Sequence, residues 1–227
     1  MADKGAWFLG GYHGDPPMRG TGGTSLDVAS DNLGWALVGW KKELVYNGYA
    51  GGMVVDTTVM GDAADKQIKA FQKANGLVAD GDIGPKTGKA LLMKRIQAEQ
   101  KKNGIPDNWM CKLAAQESGF DLGAIGYVDT RDRGPVQLHL GYVGSMSLDK
   151  AIIPEFSLAY CAETLRSRAD YYKDWEVAVA SWNVGFGGGD LWKKGGKQAT
   201  GGRPDIGLDN LYERATAYLQ AVKSRTC

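Results

Sequence analysis

Glu117 lies in the run Ala114-Ala115-Gln116-Glu117-Ser118-Gly119-Phe120, where a helix-like segment gives way to glycine and an aromatic residue. A carboxyl held at a helix end against an apolar, partly enclosed cleft loses solvation of its charged form, so its pKa rises and it stays protonated near neutral pH. Such a group can pass a proton to a glycosidic oxygen. The plain alternative is a solvated glutamate near a helix C-terminus, the commoner fate of a glutamate taken alone. Other chemistry has less material. His13 and His139 are far apart, and Cys111, Cys161 and Cys227 show no Cys-x-x-Cys spacing, so no metal site is expected. Cys111 as a nucleophile with His139 as its base lacks a third, orienting group. The cysteines read by default as buried free thiols, with a Cys111–Cys161 disulfide as the alternative. No cofactor is called for.

Two later segments raise the weight on Glu117. Gly134-Pro135-Val136-Gln137-Leu138 follows it, and Ala180-Ser181-Trp182-Asn183-Val184-Gly185 comes later, before the glycine run Gly187-Gly188-Gly189. With Glu117-Ser118-Gly119-Phe120 and Ala124, this ordered set resembles the soluble lytic transglycosylase and goose-type lysozyme group. That group shows Glu-Ser-Gly/Ala-Phe, then Gly-Leu-Met-Gln, then Ala-Tyr-Asn-Ala-Gly. The resemblance covers roughly residues 104 to 222. Pro135-Val136 stands where the group has Leu-Met, which alters the cleft wall beside Gln137. Trp182 replaces a tyrosine, losing a hydroxyl but keeping an aromatic platform.

The resemblance implies cleavage of the β-1,4 bond between N-acetylmuramic acid and N-acetylglucosamine, with Glu117 as general acid and base. In an inverting hydrolase a second carboxylate activates water. In a lytic transglycosylase the sugar's own 6-hydroxyl attacks, giving a 1,6-anhydro product without a second carboxylate. Asp129 and Asp132 are the candidates for that second group, or else solvated loop residues near Arg131 and Arg133. Gln137 and Asn183 suit hydrogen bonds to acetamido and hydroxyl groups. Ser118 joins them as a substrate-binding candidate. Tyr127 and Trp182 suit stacking on sugar faces, with core burial an equal competitor for the tryptophan. Gly185 to Gly189 reads as a flexible rim.

The elements that must position these residues are mainly helical. A helix with Met110, Leu113 and Ala114 inward carries Glu117, with Asp107 as its expected cap. Further helices are predicted over 155–172, 175–182 and 209–223, with strands limited to a short hairpin within 126–140. Upstream, Trp35, Val38 and Leu44 fall at helical spacing. Ile68, Phe71 and Gln72 lie on a second helix stopped at Asn75-Gly76, and a third helix starts at Pro85. The helical stretch 94–103 reads as a linker or as the first helix of the next domain.

Phe71-Gln72, Gly76-Leu77 and Asp80-Gly81-Asp82-Ile83-Gly84-Pro85-Lys86-Thr87 resemble the small peptidoglycan-binding domain found beside cell-wall hydrolases. Val55-Asp56, Gly61 and Ala64 form a degenerate first copy of the turn. Phe71, Gln72, Asp80, Gly81, Gly84 and Thr87 are therefore its motif residues, read first as turn and helix-start structure and only then as shaping a binding groove.

The expected architecture is a Gly-rich arm over 1–30, a three-helix peptidoglycan-binding bundle over 31–93, a linker helix over 94–103 and a larger lysozyme-like, predominantly helical catalytic domain over 104–227. The chain has 227 residues, 43% of them hydrophobic, with a net charge of +1. That near-neutral balance gives no field for nucleic acid, and no apolar run reaches membrane-span length. Peptidoglycan is the expected partner and the monomer the expected state. The start Met1-Ala2-Asp3-Lys4 does not read as a secretory signal. The implied role is a phage endolysin, made in the host cytoplasm and reaching the wall through a holin-type lesion. A virion-associated lysin and a non-catalytic wall-binding protein of lysozyme-like fold are the alternatives.

Overall fold

A computed structural model describes residues 28–126, 131–140, 147–195 and 210–227. The expected arm up to residue 27, and Tyr127 and Asp129, lie outside the described residues. The fold is mainly α: α1 (Val28–Tyr46), α2 (Gly61–Ala74), α3 (Pro85–Asn103), α4 (Trp109–Glu117), α5 (Leu148–Ile152), α6 (Pro154–Tyr172), α7 (Trp175–Lys193) and α8 (Leu211–Ser224). Between α4 and α5, β1 (Asp132–Arg133) and β2 (Leu138–His139) form an antiparallel hairpin pairing Asp132 with His139 and Arg133 with Leu138.

Helices α1 to α3 are built around Trp40, Leu44, Ile68, Phe71, Leu91 and Leu92, all buried. Val38 also turns inward, whereas Trp35 is 38% exposed and Trp40 takes the large core position. The chain between α1 and α2 is gathered by one buried ammonium: Lys41 Nζ donates to Val54 O at 2.9 Å, to Val59 O at 3.1 Å and to the Thr57 carbonyl and hydroxyl. α2 ends at Asn75 and Gly76, and Pro85 opens α3, where its missing N–H is no loss.

α3 runs unbroken through the expected division at residue 93 and packs on α6. α1 likewise packs on α5. Ile68 and Phe71 from the first part therefore share one apolar cluster with Met110, Leu113, Leu158 and Tyr218 from the second.

Three local expectations are corrected. Asp107 does not cap α4: both Asp107 and Asn108 adopt positive φ of 57°, and no side-chain cap bond is made. Gly185 to Gly189 is not a loose rim. Gly185 breaks the helical path with φ 75°, ψ 171°, and α7 then continues to Lys193. Gly188 and Gly189 are buried, and a Cβ on Gly189 would collide with Tyr172 Oη. These glycines serve close packing. Finally, Cys111 is not a free thiol but is bridged to Cys227, which removes it as a nucleophile and rules out pairing with Cys161; Cys161 is a buried free cysteine.

Candidate active site

α4 buries Trp109, Met110, Leu113 and Ala114 and delivers Glu117 as its last residue, only 4% exposed. The chain leaves the helix through left-handed backbone at Gly119 (φ 63°) and Phe120 (φ 69°), with Phe120 N–H returning to Ala114 O at 3.3 Å. Glu117 therefore points into the interior at a fixed helix end instead of into solvent.

Its main polar contact is Tyr218, which lies on the inward stripe of α8 with Leu211, Ala215, Leu219 and Val222. The buried Tyr218 hydroxyl donates to Glu117 Oε1. Burial pushes the Glu117 pKa from the ordinary 4.5 up to about 8. The Tyr218 bond opposes that rise, nearby Asp132 adds to it, and Arg214 on α8 opposes it. Burial raises the Tyr218 pKa in turn, so its hydroxyl is a neutral donor. Because the Tyr218 hydroxyl donates to Oε1, the proton of a neutral Glu117 belongs on Oε2.

The other ordered motifs meet on the short turn that joins β1 to β2. Ser118 Oγ donates to Pro135 O at 2.9 Å and to Ala114 O at 3.2 Å, and accepts from Asp121 N–H at 3.2 Å. Trp182 Nε1 donates to Val136 O at 3.1 Å, and the Arg168 guanidinium lies 5.7 Å from its ring centroid. Gln137, at φ 51° and buried, donates from Nε2 to Gly134 O at 3.0 Å and to Ala124 O at 3.3 Å, while its buried Oε1 has no hydrogen-bond partner among the described residues. Gly134 lets the turn pass the backbone of α5: at φ 76°, an added Cβ would collide with Ala151 O. Ser118 and Trp182, expected to touch substrate, thus have their polar groups engaged in holding the turn. Gln137 retains one unsatisfied acceptor.

Asn183 is held from α8: Arg214 Nε donates to Asn183 Oδ1 at 2.7 Å, and Arg214 Nη2 to its carbonyl at 2.9 Å. Asp132 is near enough to Glu117 to raise its pKa, and Asp132 Oδ1 lies 2.8 Å from His139 Nδ1. The sequence expectations missed Tyr218, Arg214 and the role of His139. The apolar spacing of α8 marks Tyr218 as inward-facing, but periodicity carries no information about which side chain it will meet.

In the N-terminal part, Gln72 is the hub of the motif. Its Nε2 donates to Asp80 Oδ1 and Asp82 O, both at 2.8 Å, and to Thr87 Oγ1 at 3.2 Å; its Oε1 accepts from Gly81 N–H at 2.9 Å. Asp80 Oδ1 also accepts from Asp82 N–H at 2.9 Å. Gly84 precedes the first turn of α3, and Phe71 packs edge-on against Tyr49 at 5.4 Å. These motif residues build the turn from within.

The described residues thus place a small helical bundle ahead of a helical part in which a buried carboxyl closes a helix. Residues 40–91 match the family model described as a putative peptidoglycan binding domain, and residues 94–202 the one described as a transglycosylase SLT domain. No curated protein matches the chain. The chain is therefore a peptidoglycan glycosidase in which a peptidoglycan-binding domain precedes a transglycosylase SLT domain.

Proposed function

We propose that the protein is a lytic transglycosylase in which Glu117 alone is both acid and base. The observation that carries this reading is the burial of Glu117 at the end of α4 with Tyr218 on one of its oxygens. A carboxyl with a pKa near 8 is neutral at pH 7 and can protonate the leaving glycosidic oxygen from Oε2. The bond from that oxygen to the muramic acid C1 then breaks, leaving an oxocarbenium-like centre. The 6-hydroxyl of the same sugar attacks C1, its proton returns to the Glu117 carboxylate, and a 1,6-anhydro end results. Engagement of Asp132 with His139 favours this path over one in which Asp132 activates water.

Glu117→Gln tests the assignment. It retains the shape of the side chain but carries no transferable acid proton. Clearing of peptidoglycan suspensions should fall by about 100-fold or more, and mass spectrometry of wild-type digests should find 1,6-anhydro ends. Equal clearing by both proteins would remove Glu117 from the mechanism; reducing ends would assign a hydrolase.

The biological role we infer is that of a phage endolysin whose binding domain keeps the enzyme on the wall while the second domain cuts, raising local concentration without new catalytic contacts. In this reading, passage to the wall depends on another protein's lesion; among the described residues no helix is long and apolar enough to cross a membrane. Expression in a host with and without a pore-forming protein should give lysis only with it. Recovery of the protein in purified particles would instead mark a virion-associated lysin.

A further inference from the structure

α8 supplies Tyr218 and Arg214 to the site, and the chain just beyond it is tied to α4 and α3 at three successive residues. Arg225 Nε donates to Gln116 Oε1 at 2.9 Å, Lys89 Nζ donates to Thr226 O at 3.4 Å, and Cys227 is bridged to Cys111. Gln116 is the residue before Glu117, and Cys111 lies on the same helix, α4. The Tyr218–Glu117 bond joins α8 to α4, and the covalent tie joins α4 to the three residues that follow α8. Cys111 is fully buried, whereas Cys227 is an exposed residue, so the Cys227 side is the one nearer to solvent.

We infer that the Cys111–Cys227 bridge is a redox-operated positioning element: closed, it seats Tyr218 over Glu117, and open, it lets α8 lift and water reach the carboxyl. This role rests on Glu117 as the catalytic group. Closure needs an oxidant of the disulfide class, such as oxidised glutathione. The exposed Cys227 thiolate attacks one sulfur of the oxidant and releases one thiol; Cys111 then displaces the second from the mixed disulfide. Two cysteine thiols are oxidised, and the oxidant leaves as two thiols carrying the two protons. A dithiol reductant reverses the sequence. A reducing compartment favours the open form and an oxidising one the closed form.

Among the described residues, the groups that act on Glu117 are Tyr218 and Arg214 from α8, Asp132 from β1 and Cys161 from α6, with Arg168 of α6 acting on Cys161 and Tyr218. Burial is the largest influence on Glu117 and is larger than the opposing Tyr218 bond. Admitting water therefore returns Glu117 toward the ordinary carboxyl range, although the Tyr218 bond is lost as well. The basic limb of activity, where Glu117 loses its proton, must then move to lower pH.

The test uses the full chain on peptidoglycan suspensions across roughly pH 5 to 9, where a carboxyl of raised pKa titrates. Wild type is assayed oxidised, reduced with dithiothreitol and reoxidised with oxidised glutathione, beside Cys111→Ser/Cys227→Ser and Glu117→Gln. The expected result is a basic limb lower by about one pH unit, hence about tenfold less activity on its alkaline side, in reduced wild type and in the double variant. Helical circular dichroism should be retained, and reoxidation should restore wild type alone. Superimposable oxidised and reduced profiles overturn the inference. So does loss of the helical signal on reduction, because the bridge would then hold the whole fold. Clearing by Glu117→Gln would instead overturn the catalytic assignment on which the inference rests.

Discussion

At the scale of single residues, Glu117 and Tyr218 divide two tasks that one glutamate on a surface helix cannot perform. In the proposed mechanism burial keeps Glu117 protonated, and the phenol's bond to Oε1 leaves Oε2 to carry the proton. The Tyr218 bond lowers the Glu117 pKa against the larger rise from burial. Tyr218→Phe retains the ring that excludes water and deletes only that bond, so the basic limb of the activity profile should move to higher pH. That is the opposite direction from the change expected on opening the disulfide, and a pH–rate profile of the two proteins separates the effects. A limb that stays in place would mean that the bond does not influence the titration of Glu117.

At the scale of elements, the motif residues act mostly on backbone. Gln72 satisfies Asp80, Gly81, Asp82 and Thr87 at once. Gln72→Ala should cost about 1–3 kcal/mol through the buried groups it strands, seen as a lower melting temperature together with weaker retention on purified peptidoglycan. Gly189→Ala drives a methyl into Tyr172 and should cost about 1–3 kcal/mol through overpacking between α6 and α7. Most helices could be read from apolar spacing: Pro85 as a start, Asn75-Gly76 as a stop, and Met110, Leu113 and Ala114 as the inward face of α4. The hairpin between Glu117 and α5 was likewise expected in its place. What local pattern could not convey was the burial of Gly188 and Gly189. A glycine run in sequence is equally compatible with a loose rim and with a helix packed closely at some of its glycines, and at Gly189 only the neighbouring Tyr172 decides between them.

At the scale of the whole molecule, two buried carboxyls link stability to pH. Burial raises Glu117 to about 8 and Glu43, bonded through Oε1 to Arg95 Nε at 2.7 Å, to about 7. Both values lie above the ordinary 4.5, so the folded state favours the neutral forms. The stability this contributes is complete below that value and is lost as pH rises through about 7 for Glu43 and about 8 for Glu117. Urea unfolding should accordingly show a lower midpoint on the alkaline side of that window than on its acid side, the unfolding free energy falling by up to about 1.4 kcal/mol for every tenfold gain in proton affinity on folding. Glu117→Gln should flatten the upper part of the curve. An unchanged midpoint across the window would mean that neither carboxyl is neutral in the fold.

The sequence alone determined the order of the parts, the helical class, and Glu117 as the acid to examine, because these follow from residue type and spacing along one chain. Gln137 and Asn183 as companions of that acid are an expectation from the ordered motifs. Only the tertiary structure decided that Tyr218 holds Glu117, that Arg214 holds Asn183, that Cys111 pairs with Cys227, and that Ser118 and Trp182 brace the turn carrying Gln137. Each of these joins residues of separate elements, and the partners are chosen by how the helices pack, which periodicity along a single helix does not encode. α3 shows the same division at larger scale. Its amino acids specify one continuous helix, while packing against α6 makes that helix part of a core shared by the binding and catalytic halves.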